Sequence, residues 1–373
     1  MSRVLHVPFT GADREFDDIG QEMMAAIEKV FRSGQVMNGE SVPRLEQSLA
    51  ELSGRRHARV VNSGTDAVYF ALVAAGIGPG DEVLLGDVSF VATLHAIVRT
   101  GATPVFVDVT DEGTIDLDLA EEAVGPRSKA LVIVQLYGRM AAPDPVEKFA
   151  RAHGLALVED AAQSLGAEVN GRRSGTLGLA SCHSFDAMKV IPAPGTGGVV
   201  LTDDPAVAES VEQLRHWGFA DAEKRHVVRL GHNSQMSSLT AAVLAVKLAQ
   251  EERWLKQRRA TASTYSAGFG DLGCGLPEHG SLRENIFHKY VLRTPKRDGL
   301  AAALRASGVE TLVHYPYALH TLPFLERHPH RVVGDGRAKK HAAEVISLPI
   351  HPYLTDEEIA HVVTSTREAL LAG

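Results

Sequence analysis

The chain is poor in cysteine. Cys182 and Cys274 are the two it has in 373 residues, and they form no CxxC pair. That excludes an iron–sulfur cluster, a cysteine-rich zinc site and a disulfide framework, and a chain without disulfides suits a reducing cytoplasm. Long hydrophobic runs are missing too. Nothing approaches the ~18 apolar residues of a membrane helix, and Met1–Phe9 lacks the apolar stretch of a secretory signal. Positive charge is in deficit: 38 Lys and Arg against 46 Asp and Glu leave a net charge of −8. A general nucleic-acid binder carries a basic excess, and neither a basic patch nor a helix-turn-helix offsets the deficit. Internal repeats and low-complexity segments are absent as well. The expectation is a soluble, cytoplasmic protein that binds neither membrane nor nucleic acid.

What is present is ordinary for a globular protein, with 45% hydrophobic and 23% charged residues and a length that allows two domains. Between about residues 55 and 205, short apolar runs alternate with amphipathic stretches. The strand candidates are 58–61, 82–85, 104–107, 130–134 and 155–158, with helices over 66–75 and 143–153. This alternation predicts an α/β fold, a mostly parallel sheet with helices on both faces. A long helix is predicted from Ser237 to about Gly268, with Glu251–Arg253 and Lys256–Arg259 on solvated faces. Gly268, Gly270, Gly273, Gly275 and Pro277 then form a turn-rich patch that marks a candidate boundary. The last hundred residues read as a small α+β unit, with a strand over 290–292 and helices over 300–306 and 356–371. Thr355 and Glu358 make a capping box at the start of the last helix. The expected division is a large domain over 1–250, including an N-terminal helical segment, and a small domain over 251–373.

The chemistry concentrates on Asp160 and Lys189. Asp160 follows the apolar run Leu155–Val158, and an acid at the carboxyl end of a buried parallel strand sits where open α/β sheets bind ligands. Buried there, it needs a cationic partner or loses its charge; the plainer alternative is a surface acid paired with an arginine. Lys189 lies in the largely apolar Met188–Pro192, where desolvation favours the nucleophilic amine over the ammonium. Its plainer alternative is a snorkelling surface lysine. A lysine that holds an aldehyde as a Schiff base, with a carboxylate that keeps a pyridine nitrogen protonated, is the pair pyridoxal phosphate (PLP) requires. Asn62–Ala67 follows a strand and opens a helix. Its N–H groups and the Ser63 and Thr65 hydroxyls make an anion site, which Gly64 lets a phosphate approach. A simple connection with Thr65 as N-cap is the alternative. Gln163 is placed to donate to the cofactor's ring oxygen, or merely to a helix start. Gly195–Gly198 resembles a dinucleotide loop but precedes the strand 199–201 instead of a helix, so it reads as a turn behind Lys189. His314–His320 invites a metal reading, yet no third ligand is near; a polar substrate-lining loop without metal is expected.

In sequence order these pieces are Ser33-Gly34, Asn62–Ala67, Ser89–Thr93, Glu159–Ala167, Ser184-Phe185 with Lys189, Gly197-Gly198, Gly231–Asn233, His314–Pro316, Leu319-His320 and Ser347–Pro349. Together they resemble the DegT/DnrJ/EryC1/StrS family, sugar and cyclitol aminotransferases of the aspartate aminotransferase-like PLP fold type I, over essentially the whole chain. The resemblance implies that Lys189 forms the Schiff base and then shuttles the substrate proton. It implies Asp160 at the pyridine nitrogen, Gln163 at the ring oxygen, and Phe90 stacked on the ring. It further implies that Gly64, Thr65 and Ser184 hold the phosphate, with Asn233 reaching it from the neighbouring subunit of a homodimer. Three positions depart from the family's habit. Gln235 replaces an arginine that commonly serves an anionic group, Thr196 replaces an acid, and Asp186 stands where an aromatic or small residue is usual. Relatives that deoxygenate carry histidine in place of Lys189. Candidates for the substrate pocket are His95, Asp186, Gln235, His314, Tyr315 and His320. The implied activity moves an amino group from glutamate or glutamine to a keto-sugar nucleotide or keto-cyclitol, in amino-sugar or antibiotic biosynthesis. The rivals are elimination or deoxygenation on the same scaffold, and a PLP-binding regulator without turnover.

Overall fold

The apolar runs of the first two hundred residues assemble into one eight-stranded sheet. In the computed structural model its spatial order is His57–Val61, Gly198–Thr202, Ala180–Ser184, Ala156–Asp160, Ser128–Val134, Glu82–Gly86, Thr103–Val107 and Arg331–Val333. Gly198–Thr202 runs antiparallel to both neighbours, and every other pairing is parallel. The structure describes residues 5–372 except 222, 282 and 335, so the first four residues of the N-terminal segment lie outside the described residues. Among the described residues no helix is long and apolar enough to cross a membrane.

Both faces of the sheet are covered, which is why its strands are apolar at nearly every position. Alternate side chains leave in opposite directions. Leu84, Leu131 and Leu157 pack with Leu45, Leu49, Phe149 and Val243 on one face. Val83, Leu85, Val132 and Val158 pack with Phe70, Leu94, Ile97 and Val211 on the other. From Glu82–Gly86 the chain moves outward to Thr103–Val107, then returns to lay Ser128–Val134, Ala156–Asp160 and Ala180–Ser184 on the opposite side. That reversal opens a crevice at the carboxyl ends of the strands.

The helix read over 237–268 is two, Ser238–Leu248 and Glu251–Phe269, broken at Ala249 and Gln250. No glycine or proline makes the break; the last turn tightens instead, with Gln250 N–H donating to the Lys247 carbonyl at 2.9 Å. The first helix sets Val243 and Leu244 into the sheet core, and the second runs from Trp254 and Leu255 in that core to Ala262, Tyr265 and Phe269 in a separate cluster. Within the second helix Glu251 and Arg258 are buried, contrary to their reading as solvated. The C-terminal region pairs Tyr290–Arg293 antiparallel with Val345–Leu348 under helices Arg297–Ala306 and Asp356–Ala372. The capping box forms: Thr355 N–H donates to Glu358 at 2.9 Å and Glu358 N–H to the Thr355 hydroxyl at 3.2 Å. Arg14 grips the same Glu358 at 2.8 and 2.6 Å, tying the N-terminal helix Ala12–Ser33 to the last one. Arg331–Val333, from this late region, completes the edge of the large sheet on Thr103–Val107. No strand is read there, because three residues are too few for a period to register.

Candidate active site

Asp160 is the last residue of strand Ala156–Asp160 and is 5% exposed. Its Oδ2 accepts from the Thr93 hydroxyl at 2.6 Å and its Oδ1 from Ala162 N–H at 3.1 Å. Ser89 lies 3.0 Å from the Thr93 hydroxyl. Burial pushes the Asp160 carboxyl above its usual range, against the Thr93 hydroxyl, Ala162 N–H and Lys189. Such an acid calls for a cation.

Lys189 comes off the neighbouring strand, Ala180–Ser184, after a turn in which its own N–H donates to the Asp186 carbonyl at 2.9 Å. It is only partly covered and opens on the crevice, yet the protein around it desolvates the ammonium and pushes its pKa down, against Asp160 and Asp186. A lysine driven toward the free amine beside an acid driven toward a proton is a reactive pair.

Opposite them, strand His57–Val61 passes into helix Gly64–Ala74. Ser63, not Thr65, is the cap: its Oγ accepts from Asp66 N–H at 3.1 Å. A Cβ on Gly64 would lie 2.6 Å from the Ser184 Cβ, and one on Gly198 would lie 2.4 Å from the Ser63 carbonyl oxygen. Only glycine lets this helix start approach Ser184 so closely, and its leading N–H groups form an anion cradle.

Gln163 is buried, and its Oε1 accepts from Tyr137 N–H at 2.9 Å, which leaves its amide nitrogen for the cleft and Tyr315. Phe90 is 47% exposed, its ring 5.7 Å from that of Tyr315. The His314 Nδ1 meets the Ser347 hydroxyl at 2.8 Å, and burial, then Lys289 and Lys189, push this ring down to about 3, so it is neutral.

Ser63, Gly64, Thr65, Phe90, Asp160, Gln163, Ser184, Asp186, Lys189, His314 and Tyr315 therefore line one cleft, open to solvent. Four expected residues lie elsewhere on the chain. His95 is exposed and edges onto Phe324; His320 is paired with buried Asp87; Gln235 lines a different cavity and approaches exposed Asn233 at 3.5 Å. Among the described residues no three His, Cys, Asp or Glu side chains gather to hold a metal. The sequence reading assigns no role to Thr93 or Lys289, both of which line the cleft. The four-residue spacing of Ser89 and Thr93, and a lysine inside the apolar Ile286–Val291, were the available signals.

The residues fit PLP. A buried carboxylate without an arginine suits a pyridinium, the glycine-lined cradle suits a phosphate, and the desolvated amine suits an aldehyde. The comparisons agree. A relative from Streptomyces venezuelae, dTDP-3-amino-3,4,6-trideoxy-alpha-D-glucose transaminase, is 38% identical over 97% of this chain and 96% of its own. A relative from Geobacillus stearothermophilus called pleiotropic regulatory protein is 38% identical over 98% of both. The crystal structure of S. venezuelae DesV in complex with a ketimine intermediate superposes with a TM-score of 0.93 at 37% identity, covering 98% of each chain. The model of the DegT/DnrJ/EryC1/StrS aminotransferase family matches residues 17–367. This chain belongs to that family and is a PLP-dependent aminotransferase.

Proposed function

We propose that this aminotransferase takes the amino group of glutamate or glutamine and delivers it to the keto carbon of a sugar nucleotide or cyclitol. The observation that carries the reading is the convergence of Asp160 and Lys189, from adjacent strands, on one cleft with a phosphate cradle. Relatives named as transaminases of dTDP- and UDP-sugars support a nucleotide sugar over a free cyclitol. When bound, PLP supplies an electron sink that lets a C–H bond next to the amine break. Lys189 would hold the aldehyde and serve as the base that takes and returns the substrate proton. Asp160, steadied by Thr93, would supply the negative charge for the pyridine nitrogen, and Gln163 would donate to the ring oxygen. Ser63, Gly64, Thr65 and Ser184 would hold the phosphate, and Phe90 would cover the ring. Asp186, His314 and Tyr315 border the space left for substrate.

The same reading makes the enzyme a homodimer, with Asn233 and Gln235 completing the partner's cleft instead of their own. It also assigns cofactor binding to residues 1–250 and a covering role to 251–373. The intact pair of Lys189 and Asp160 favours turnover over a purely regulatory role. The test is a two-stage incubation followed by mass spectrometry. Glutamate should be converted to 2-oxoglutarate, and a 3-keto-sugar nucleotide added next should gain one amine. Release of a dehydrated sugar would overturn the reading.

A further inference from the structure

Lys289 lines the cleft beside Lys189 and is 7% exposed. Its backbone N–H donates to the Tyr137 carbonyl at 3.1 Å, which fixes it at the mouth of strand Tyr290–Arg293. The ammonium has poor company. It reaches the Met188 carbonyl at 3.5 Å and lies 5.1 Å from the centre of the Phe9 ring. Among the described residues no carboxylate lies within ion-pair distance of it. Arg258, close behind, is buried too. Its Nη1 meets the Ile350 carbonyl at 2.8 Å and the Phe287 carbonyl at 3.3 Å, while its Nε has no acceptor. Asp186 lines the same cleft and accepts Met188 N–H at 3.0 Å, without forming an ion pair with Lys289. Lys289 thus stands at one end of the cleft, close to Lys189 and with Arg258 behind it, and has no ion-pair partner of its own among the described residues. Burial, then Arg258 and Lys189, push the Lys289 ammonium down to about 7, so an anion bound beside it restores its charge.

We propose that Lys289 is the carboxylate-binding residue of this cleft, pairing with the amino donor's carboxylate as that donor sits against Lys189. This rests on the aminotransferase reading above and gives it a donor subsite. A carboxylate of the donor and a diphosphate of the acceptor share the chemistry an ammonium recognises, so the test separates them.

Holoenzyme is titrated calorimetrically with glutarate, a dicarboxylate that has no amine to transfer, and separately with UDP. In Lys289→Met the Kd for glutarate should rise about ten- to hundredfold, the loss of one charge-assisted hydrogen bond. Lys289→Arg should recover most of it, and the Kd for UDP should not move. Glutarate binding that is undetectable in the wild type or unchanged in Lys289→Met overturns the proposal, as does a loss confined to UDP. Should Lys289→Met fail to fold, Lys289→Gln keeps a donor, removes the charge and carries the same expectation. Borohydride reduction of each holoenzyme, followed by peptide mapping, reports whether the cofactor is attached at Lys189. A missing adduct there defeats the broader reading, whereas an adduct with unchanged glutarate affinity defeats this one alone.

Discussion

Thr93→Val would delete one hydroxyl and preserve the outline of the side chain. That hydroxyl sits 2.6 Å from Asp160 Oδ2, and among the described residues only Ala162 N–H, at 3.1 Å, otherwise hydrogen-bonds the carboxylate. Burial already pushes the Asp160 pKa up, and the Thr93 hydroxyl is the largest influence against it. A hydrogen bond to a charged acceptor is worth about 1.5–3 kcal/mol. Its loss should push the Asp160 carboxyl further up. Asp160 then holds a proton more readily and becomes a poorer counter-ion for the pyridine nitrogen, so the electron sink weakens. The expected result is a glutamate half-reaction slowed roughly ten- to hundredfold, the same energy read as a rate. Stopped-flow absorbance of the bound cofactor measures it. Cofactor content should stay near the wild-type level because the phosphate cradle is untouched, and Thr93→Ser should retain most of the rate. A Thr93→Val enzyme within twofold of wild type would refute this account of how Asp160 is held.

Gly64→Ala places a Cβ 2.6 Å from the Ser184 Cβ, so the cradle must open; cofactor should be lost on dialysis, and full retention would show that the close approach is dispensable. The Arg14 guanidinium, with the Thr355 N–H, holds the Glu358 carboxyl down to about 2 from 4.5. An acid depressed by folding stabilises fully above its unfolded value and ceases to do so as pH falls through its folded one. Glu358→Gln should therefore cost about 1–2 kcal/mol at neutral pH, discounted for the partly exposed Arg14, and the deficit should fade between pH 4.5 and 2. A difference in unfolding midpoint that ignores pH would count against it. Finally, Lys189→Ala and Asn233→Ala subunits, each inactive alone, should regain up to about a quarter of wild-type activity per site when unfolded and refolded together, the statistical share in which one cleft receives both intact residues. No recovery on mixing would dissociate Asn233 from a shared cleft.

Legibility tracked burial and local chemistry. Leu84 and Val158 lie in runs apolar on both faces, so their strands were plain from composition alone. Asp160 and Lys189 were readable because a charge next to such a run has few reasons to be there. Ser63 as cap was missed because serine and threonine two residues apart compete for that role, and the backbone angles decide. Ala249 and Gln250 are ordinary helix residues, so no local signal marks the tightened turn that ends the helix there. His320 carries a motif's appearance, but its ring is taken up by Asp87, a partner more than two hundred residues away that no local pattern foretells. Lys289 leaves only the trace of a charge inside the mostly apolar Ile286–Val291, since its importance lies in the ion pair it does not make.

The edge strand Arg331–Val333 has a consequence for how the protein is made. It shields Thr103–Val107, which leaves the ribosome more than two hundred residues earlier. At typical rates of synthesis that interval is on the order of ten to forty-five seconds, during which an apolar parallel edge stands without its last neighbour. The late strand acts as a seal, and a chain cut near residue 250 would keep all the residues of the cofactor cradle yet lack the piece that closes the sheet to other copies of itself.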